Sequence, residues 1–143
     1  MELAWHDRAF DDLTVRELYA IIELRERVFV VEQACVYLDA DGLDPRCRHV
    51  WAAAGDAVHA YLRYVPAGAR YAEAALGRVV TAPAARGTGL GRELLRRAIA
   101  TYGGAPLRLA AQAHLERFYA DFGFVRASEP FDEDGIPHVY MVR

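Results

Sequence analysis

The segment GRVVTAPAARGTGLGRELLRRAIATYGG, residues 77 to 104, constrains the fold of this chain more than any other. It reads as an apolar strand, a turn through Pro83, glycines at 87, 89 and 91, and then immediately a helix. In that helix Leu94, Leu95, Ala98, Ile99 and Tyr102 form one stripe, Arg92, Glu93, Arg96 and Arg97 face away, and Gly103-Gly104 ends it. A strand that turns directly into an amphipathic helix belongs to a sheet with that helix laid on one face. Upstream, HVWAAA and AVHAYLRYV flank Gly55-Asp56, a hairpin signal, so a purely parallel alternation is excluded.

The remaining segments extend this frame. ELAWH reads as a short strand, and Thr14-Val-Arg-Glu17 is a capping box that opens a long helix ending near Glu32. Val15, Leu18, Tyr19, Ile22 and Phe29 recur along it at helical spacing. YLDADGLDPRCRH follows as a loop carrying Asp39, Asp41 and Asp44; its glycine falls too early for a calcium loop, and no glutamate stands at the twelfth position. YAEAALGRVVTA and LRLAAQ read as strands, and HLERFYADFG as a helix with Leu115, Phe118, Tyr119 and Phe122 on one face. FVRASEPF and HVYMVR are strands around the turn DEDGIP. The fold class is α/β of the α+β kind, a single domain over residues 1–143, with a central mixed sheet of six to seven strands and helices on both faces.

Composition narrows the function. With 54% hydrophobic and 26% charged residues the chain is built to bury a core. A net charge of −3 implies no general affinity for nucleic acid. No charged stretch followed by an apolar one opens the chain, so a reduced, cytoplasmic protein without a membrane partner is expected. All 17 basic residues are arginine, which excludes a Walker-type lysine, a Schiff-base lysine and pyridoxal chemistry. Cys35, Cys47 and His49 lack the paired short spacings of a zinc site, so no metal is expected.

The glycine loop admits three ligands on chemistry alone. A dinucleotide fingerprint needs a third glycine where Arg92 stands and an acidic residue near position 111, and fails on both. A P-loop fails for want of lysine. What survives is a strand, the run Arg86-Gly87-Thr88-Gly89-Leu90-Gly91, and a helix start, where successive N–H groups converge on a pyrophosphate beside the Arg86 charge. A turn that needs glycine only for its shape is the plainer explanation.

RGTGLG also matches the R/Q-x-x-G-x-G/A signature of the GNAT superfamily of N-acetyltransferases, between the fourth strand and third helix of that fold. LRERVFVVEQACVYLDADGLD, LGRVVTAPAARGTGLGRELL, AAQAHLERFYADFGF and DEDGIPHVYM, in that order, resemble the ElaA-like members of the superfamily over nearly the whole chain. The resemblance implies acetyl transfer from acetyl-CoA to an amine in a ternary complex, on a sheet splayed between its fourth and fifth strands. It places the backbone of Val79, Val80 and Thr81 on the acetyl and pantetheine groups, and Arg86, Gly87, Thr88, Gly89, Leu90, Gly91 and Arg92 around the pyrophosphate. It makes Tyr119 the acid that protonates the departing thiolate, although its place on the apolar helix face also fits a core residue.

The base stays open among Glu32, His114 and His138. The run VFVV before Glu32 predicts partial burial and a raised pKa for its carboxyl. Gln112, His114 and His138 fall on the acceptor side, with His114 also suited to its own helix start. Cys35 as a covalent acyl carrier lacks an identifiable base. Asp39, Asp41 and Asp44 with Asp132, Glu133 and Asp134 form two acidic loops suited to attracting a cationic amine, whether small molecule or protein side chain. A homodimer is common in the superfamily. The competing function is a non-catalytic acyl-CoA-binding sensor on the same fold, which has no need of a proton donor at Tyr119.

Overall fold

The computed structural model describes residues 2–143. Its strands are β1 (Ala4–Ala9), β2 (Arg48–Ala54), β3 (Ala57–Val65), β4 (Ala74–Thr81), β5 (Leu107–Gln112), β6 (Val125–Arg126), β7 (Phe131–Glu133) and β8 (Ile136–Val142). They form one sheet in the order β1-β2-β3-β4-β5-β8-β6, with β7 also on β8. Every pairing is antiparallel except β4 with β5. The eighth strand arises because FVRASEPF splits into β6 and β7; between them Ser128 Oγ accepts the Tyr140 N–H at 2.9 Å, and Pro130 has no N–H to give a ladder.

The helices are α1 (Val15–Arg25), α2 (Leu90–Tyr102) and α3 (Glu116–Ala120). The capping box of α1 is formed: Thr14 Oγ1 accepts the Glu17 N–H at 3.1 Å, and the Glu17 carboxylate accepts the Thr14 N–H at 2.9 Å. The predicted stripe of α1 is out of phase. Its core face is Ile21, Leu24 and Val28, packed on Trp51, Ala53, Tyr61 and Val80, whereas Val15 and Tyr19 are exposed. Past Arg25 the helix loosens into a π-helical turn over Glu26–Glu32, with Gln33 N–H bonded to Val28 O at 3.1 Å and Cys35 N–H to Val30 O at 3.0 Å. On the opposite face of the sheet, Leu94, Leu95 and Ala98 of α2 and Tyr119 of α3 pack with Val50, Leu62, Leu109 and Met141. Helices thus cover both faces, and no helix among the described residues is long and apolar enough to cross a membrane.

Two local irregularities position the site. β4 and β5 pair only at Ala74↔Leu107 and Ala75↔Arg108, then diverge. β4 also carries one extra residue opposite β3, because Tyr61 faces Val80 while Arg63 faces Gly77. Arg78 lies in this bulge at φ +50°.

Candidate active site

The divergence of β4 and β5 opens a cleft of about 940 Å³. Val79, Val80 and Thr81 form one wall, and Arg86, Gly87, Gly89, Leu90, Gly91 and Arg92 close one end. Glu32, Gln112, His114, Tyr119 and His138 line the same space, so one cavity gathers nearly every residue singled out in the sequence. Thr88 stands apart: its hydroxyl donates to Ala85 O at 2.5 Å and closes the turn instead of facing the cleft.

The end near α2 has donor geometry that could hold an anion. Gly89 is the N-cap of α2 at φ +84°, and no side chain caps the helix, so its first N–H groups have no capping partner. Gly87 is also left-handed, at φ +75°, and a Cβ on Gly87 or Gly89 would meet no other part of the protein within 4 Å. At Gly91 a Cβ would come within 3.3 Å of Thr81 Oγ1, which shows how closely the helix start approaches the strand end. Arg92 lies over the Phe118 and Phe122 rings, at 5.4 and 5.8 Å, and pairs with Asp121 at 2.9 Å. Unpaired amides at the start of a 13-residue helix with two flanking guanidiniums are a donor set that fits a pyrophosphate.

Arg86 is paired with Glu32 through two bonds of 2.5 Å each. The expectation of a buried Glu32 with a raised pKa is corrected: its side chain is 42% exposed, and the Arg86 hydrogen bonds hold its carboxyl below the ordinary range. The π-helical turn ends at Glu32 and leaves it facing the glycine loop, not the core under VFVV.

Tyr119 is 6% exposed, with its ring edge-on to Phe118 and Phe124. No group among the described residues hydrogen-bonds its hydroxyl, and burial raises its pKa, so the phenol holds its proton at neutral pH. Gln112, at the end of β5, donates from Nε2 to Gln33 Oε1 at 3.2 Å. His138 faces Gln112 across the β5–β8 ladder. Its Nδ1 donates to Ile136 O at 2.7 Å, and its Nε2 stands 3.6 Å from the Glu133 carboxylate. His114 is exposed at the rim. The Cys35 thiol donates to Asp134 O at 3.4 Å and its pKa is raised, first by desolvation, so it is not an activated nucleophile.

The sequence did not disclose an arginine–aspartate network that forms one side of the cleft. Arg25, wholly buried, donates to Asp39 and Asp44 at 2.8 Å each. Arg63 donates to Asp41 and Asp44 at 2.8 and 2.9 Å through Nη1. Arg78 Nε lies 2.9 Å from Asp39 Oδ1, and its Nη2 donates to Asp39 O at 3.1 Å. Burial pushes the Asp41 and Asp44 carboxyls up, but their guanidinium partners outweigh it and hold both below the usual carboxylate range. The loop therefore does not present three free carboxylates to a cationic amine; each is matched by an arginine. The available signal was Arg63, a charged residue inside the otherwise apolar run AYLRYV, which is buried only when paired; Arg25, among the charges of ELRER, gave none.

Comparison with known proteins agrees with this fold. The family model of the acetyltransferase (GNAT) domain matches residues 46–143. Protein ElaA of Escherichia coli is 39% identical, over 99% of this chain and 96% of that protein. The crystal structure of an acyl-CoA N-acyltransferase from Pseudomonas aeruginosa superposes with a TM-score of 0.92 at 42% identity, covering 99% of each chain. At 15% identity, an aminoglycoside 6′-N-acetyltransferase solved in complex with coenzyme A shares the fold, with a TM-score of 0.68 over 100% of this chain and 96% of that one.

Proposed function

This chain belongs to the GNAT family of acetyltransferases, and we propose that it transfers an acetyl group from acetyl-CoA to a primary amine by direct attack in a ternary complex. The observation that carries the proposal is the convergence, on one cleft, of the uncapped α2 N-terminus and the unbonded hydroxyl of the otherwise buried Tyr119. Acetyl-CoA would supply the activated acyl group as co-substrate: the amine nitrogen gains the acetyl carbon and loses a proton, while the C–S bond breaks and the sulfur leaves as the CoA thiol.

The residues divide that work. Gly87, Gly89, Gly91 and the α2 start would hold the pyrophosphate, with Arg86 and Arg92 flanking it. The edge of β4 from Val79 to Thr81, unpaired where β5 departs, offers backbone groups to the pantetheine amides. Tyr119 keeps its proton at neutral pH and would deliver it to sulfur. A pyrophosphate at the loop would compete with Glu32 for Arg86, and a carboxylate so released returns toward ordinary basicity and can take the amine proton, directly or through water. Gln112, His114 and His138 would border the acceptor. Use of acetyl-CoA as co-substrate would suit a cytoplasmic protein, and nothing in the proposed mechanism requires a second copy of the chain.

The test is thiol release from acetyl-CoA with a panel of amines, run beside calorimetric titration with CoA. Thiol release that depends on an amine supports the transferase. Binding of CoA with no release above hydrolysis, for any amine, would make this a binding module instead.

A further inference from the structure

We infer that the acceptor is an amine that carries a carboxylate, an α-amino acid or a close analogue, and that Arg78 binds the carboxylate. This rests on the transferase proposal, because it names the acceptor of that same cleft. Beyond the bulge, the half of the cleft away from the glycine loop is lined by Tyr37, Asp41, Arg63, Arg70, Arg78 and Glu133. Its free hydrogen-bonding capacity is on Arg78 Nη1, Arg70 and the Glu133 carboxylate. Asp41 is taken by Arg63 and Asp39 by Arg25 and Arg78. Arg78 Nε, 2.9 Å from Asp39 Oδ1, and Arg63 Nε are both buried and face the protein instead of the cleft. Nη1 of Arg78 has no partner among the described residues, and Arg70 comes no nearer to Glu133 than 3.6 Å, beyond hydrogen-bond distance.

Arg78 is also held in place at a cost. A left-handed φ of +50° is uncommon and disfavoured for a residue other than glycine. The ion pairs to the 39–41 loop and the Tyr37 ring, 5.5 Å from its guanidinium carbon, maintain it. It sits three residues before Thr81, next to the strand edge proposed for the acyl arm. The Nη1 N–H groups of a guanidinium fixed there can donate charge-assisted hydrogen bonds to a carboxylate, while Nη2 stays on Asp39 and Asp41. A polyamine or a simple alkylamine leaves those donors unanswered. The ammonium end of a zwitterion finds Glu133, whose carboxylate stands 3.6 Å from both Arg70 and His138 and accepts no hydrogen bond from either.

The decisive comparison uses matched pairs: each common α-amino acid against the amine that lacks only its carboxylate, with spermidine as a further arm. Both thiol release and calorimetric binding to the CoA-loaded protein are read. At least one amino acid is expected to exceed its amine by about 10–100-fold in kcat/KM and in affinity, the effect of one charge-assisted hydrogen-bonded pair. Arg78→Gln should remove that preference, mainly through KM, and Arg78→Lys should restore part of it. If Arg78→Gln does not fold, the wild-type pairs still decide. Equal or better turnover of the amines or spermidine overturns the inference and leaves the transferase standing. No thiol release from any acceptor overturns the transferase, and binding then decides alone: amino acids that bind no more tightly than their amines, or not at all, overturn this inference too.

Discussion

Tyr119 meets two demands that the sequence alone could not separate. Its ring fills the core beside Phe118 and Phe124, while its hydroxyl opens on the cleft with no protein partner. Tyr119→Phe removes only the oxygen, so packing and CoA affinity should be kept while kcat falls about 10²–10⁴-fold, the range of a lost general acid. Steady-state kinetics beside CoA titration checks this; an unchanged kcat returns the residue to the core. Glu32 gives a prediction of opposite sign. In the free protein it occupies Arg86, so Glu32→Gln should tighten CoA binding by roughly 2–5-fold, the scale of an exposed ion pair, while slowing acetyl transfer. Weaker CoA binding in this variant would show that the pair holds the loop in shape instead of competing with the ligand. Both residues were legible in the sequence as candidates. The environment of Glu32 was not, because it depends on a π-helical turn that no periodicity in VFVVEQ announces.

At the scale of elements, the strand, glycine loop and helix from β4 to α2 were legible because each signal is local: an apolar run, a proline turn, glycines where φ is positive, a stripe at helical spacing. The β4 bulge and the early parting of β4 from β5 were not, since both are matters of register between strands distant in sequence. Gly89→Ala probes the loop as an element. A Cβ there touches no protein atom within 4 Å, so the structural cost is confined to the left-handed backbone, about 1–2 kcal/mol. The same Cβ projects into the open space beside the α2 start, where the pyrophosphate is proposed to lie, and should cost CoA affinity more than about 10-fold, more than the backbone strain accounts for. Thermal melts with and without CoA separate the two: a normal ligand-induced rise in Tm would mean that the glycine serves the turn alone.

Across the whole molecule, the network of Arg25, Arg63 and Arg78 with Asp39, Asp41 and Asp44 ties α1, the 39–44 loop, β3 and the β4 bulge into one charge-balanced unit. Three acids in a loop read as free to attract a cationic amine because the arginines that answer them lie on other elements. Arg25→Ala would leave Asp39 to Arg78 alone and Asp44 to Arg63 alone, so it should cost less than the ~3–5 kcal/mol of a buried charge left with no partner. The same network sets the acid limit of stability. The folded Asp41 and Asp44 carboxyls are held below the value of 3.8 that an unfolded aspartate takes. As pH falls through that value the unfolded chain binds protons that the folded chain refuses, so stability, full above about pH 5, declines toward the lower folded values. Urea midpoints from pH 7 to pH 3 should therefore be level at first and then drop. In Arg25→Ala the Asp44 carboxyl loses its strongest lowering partner and moves toward its unfolded value. That variant should start less stable and lose less on acidification; a parallel decline in both proteins would mean that other carboxylates set the acid limit.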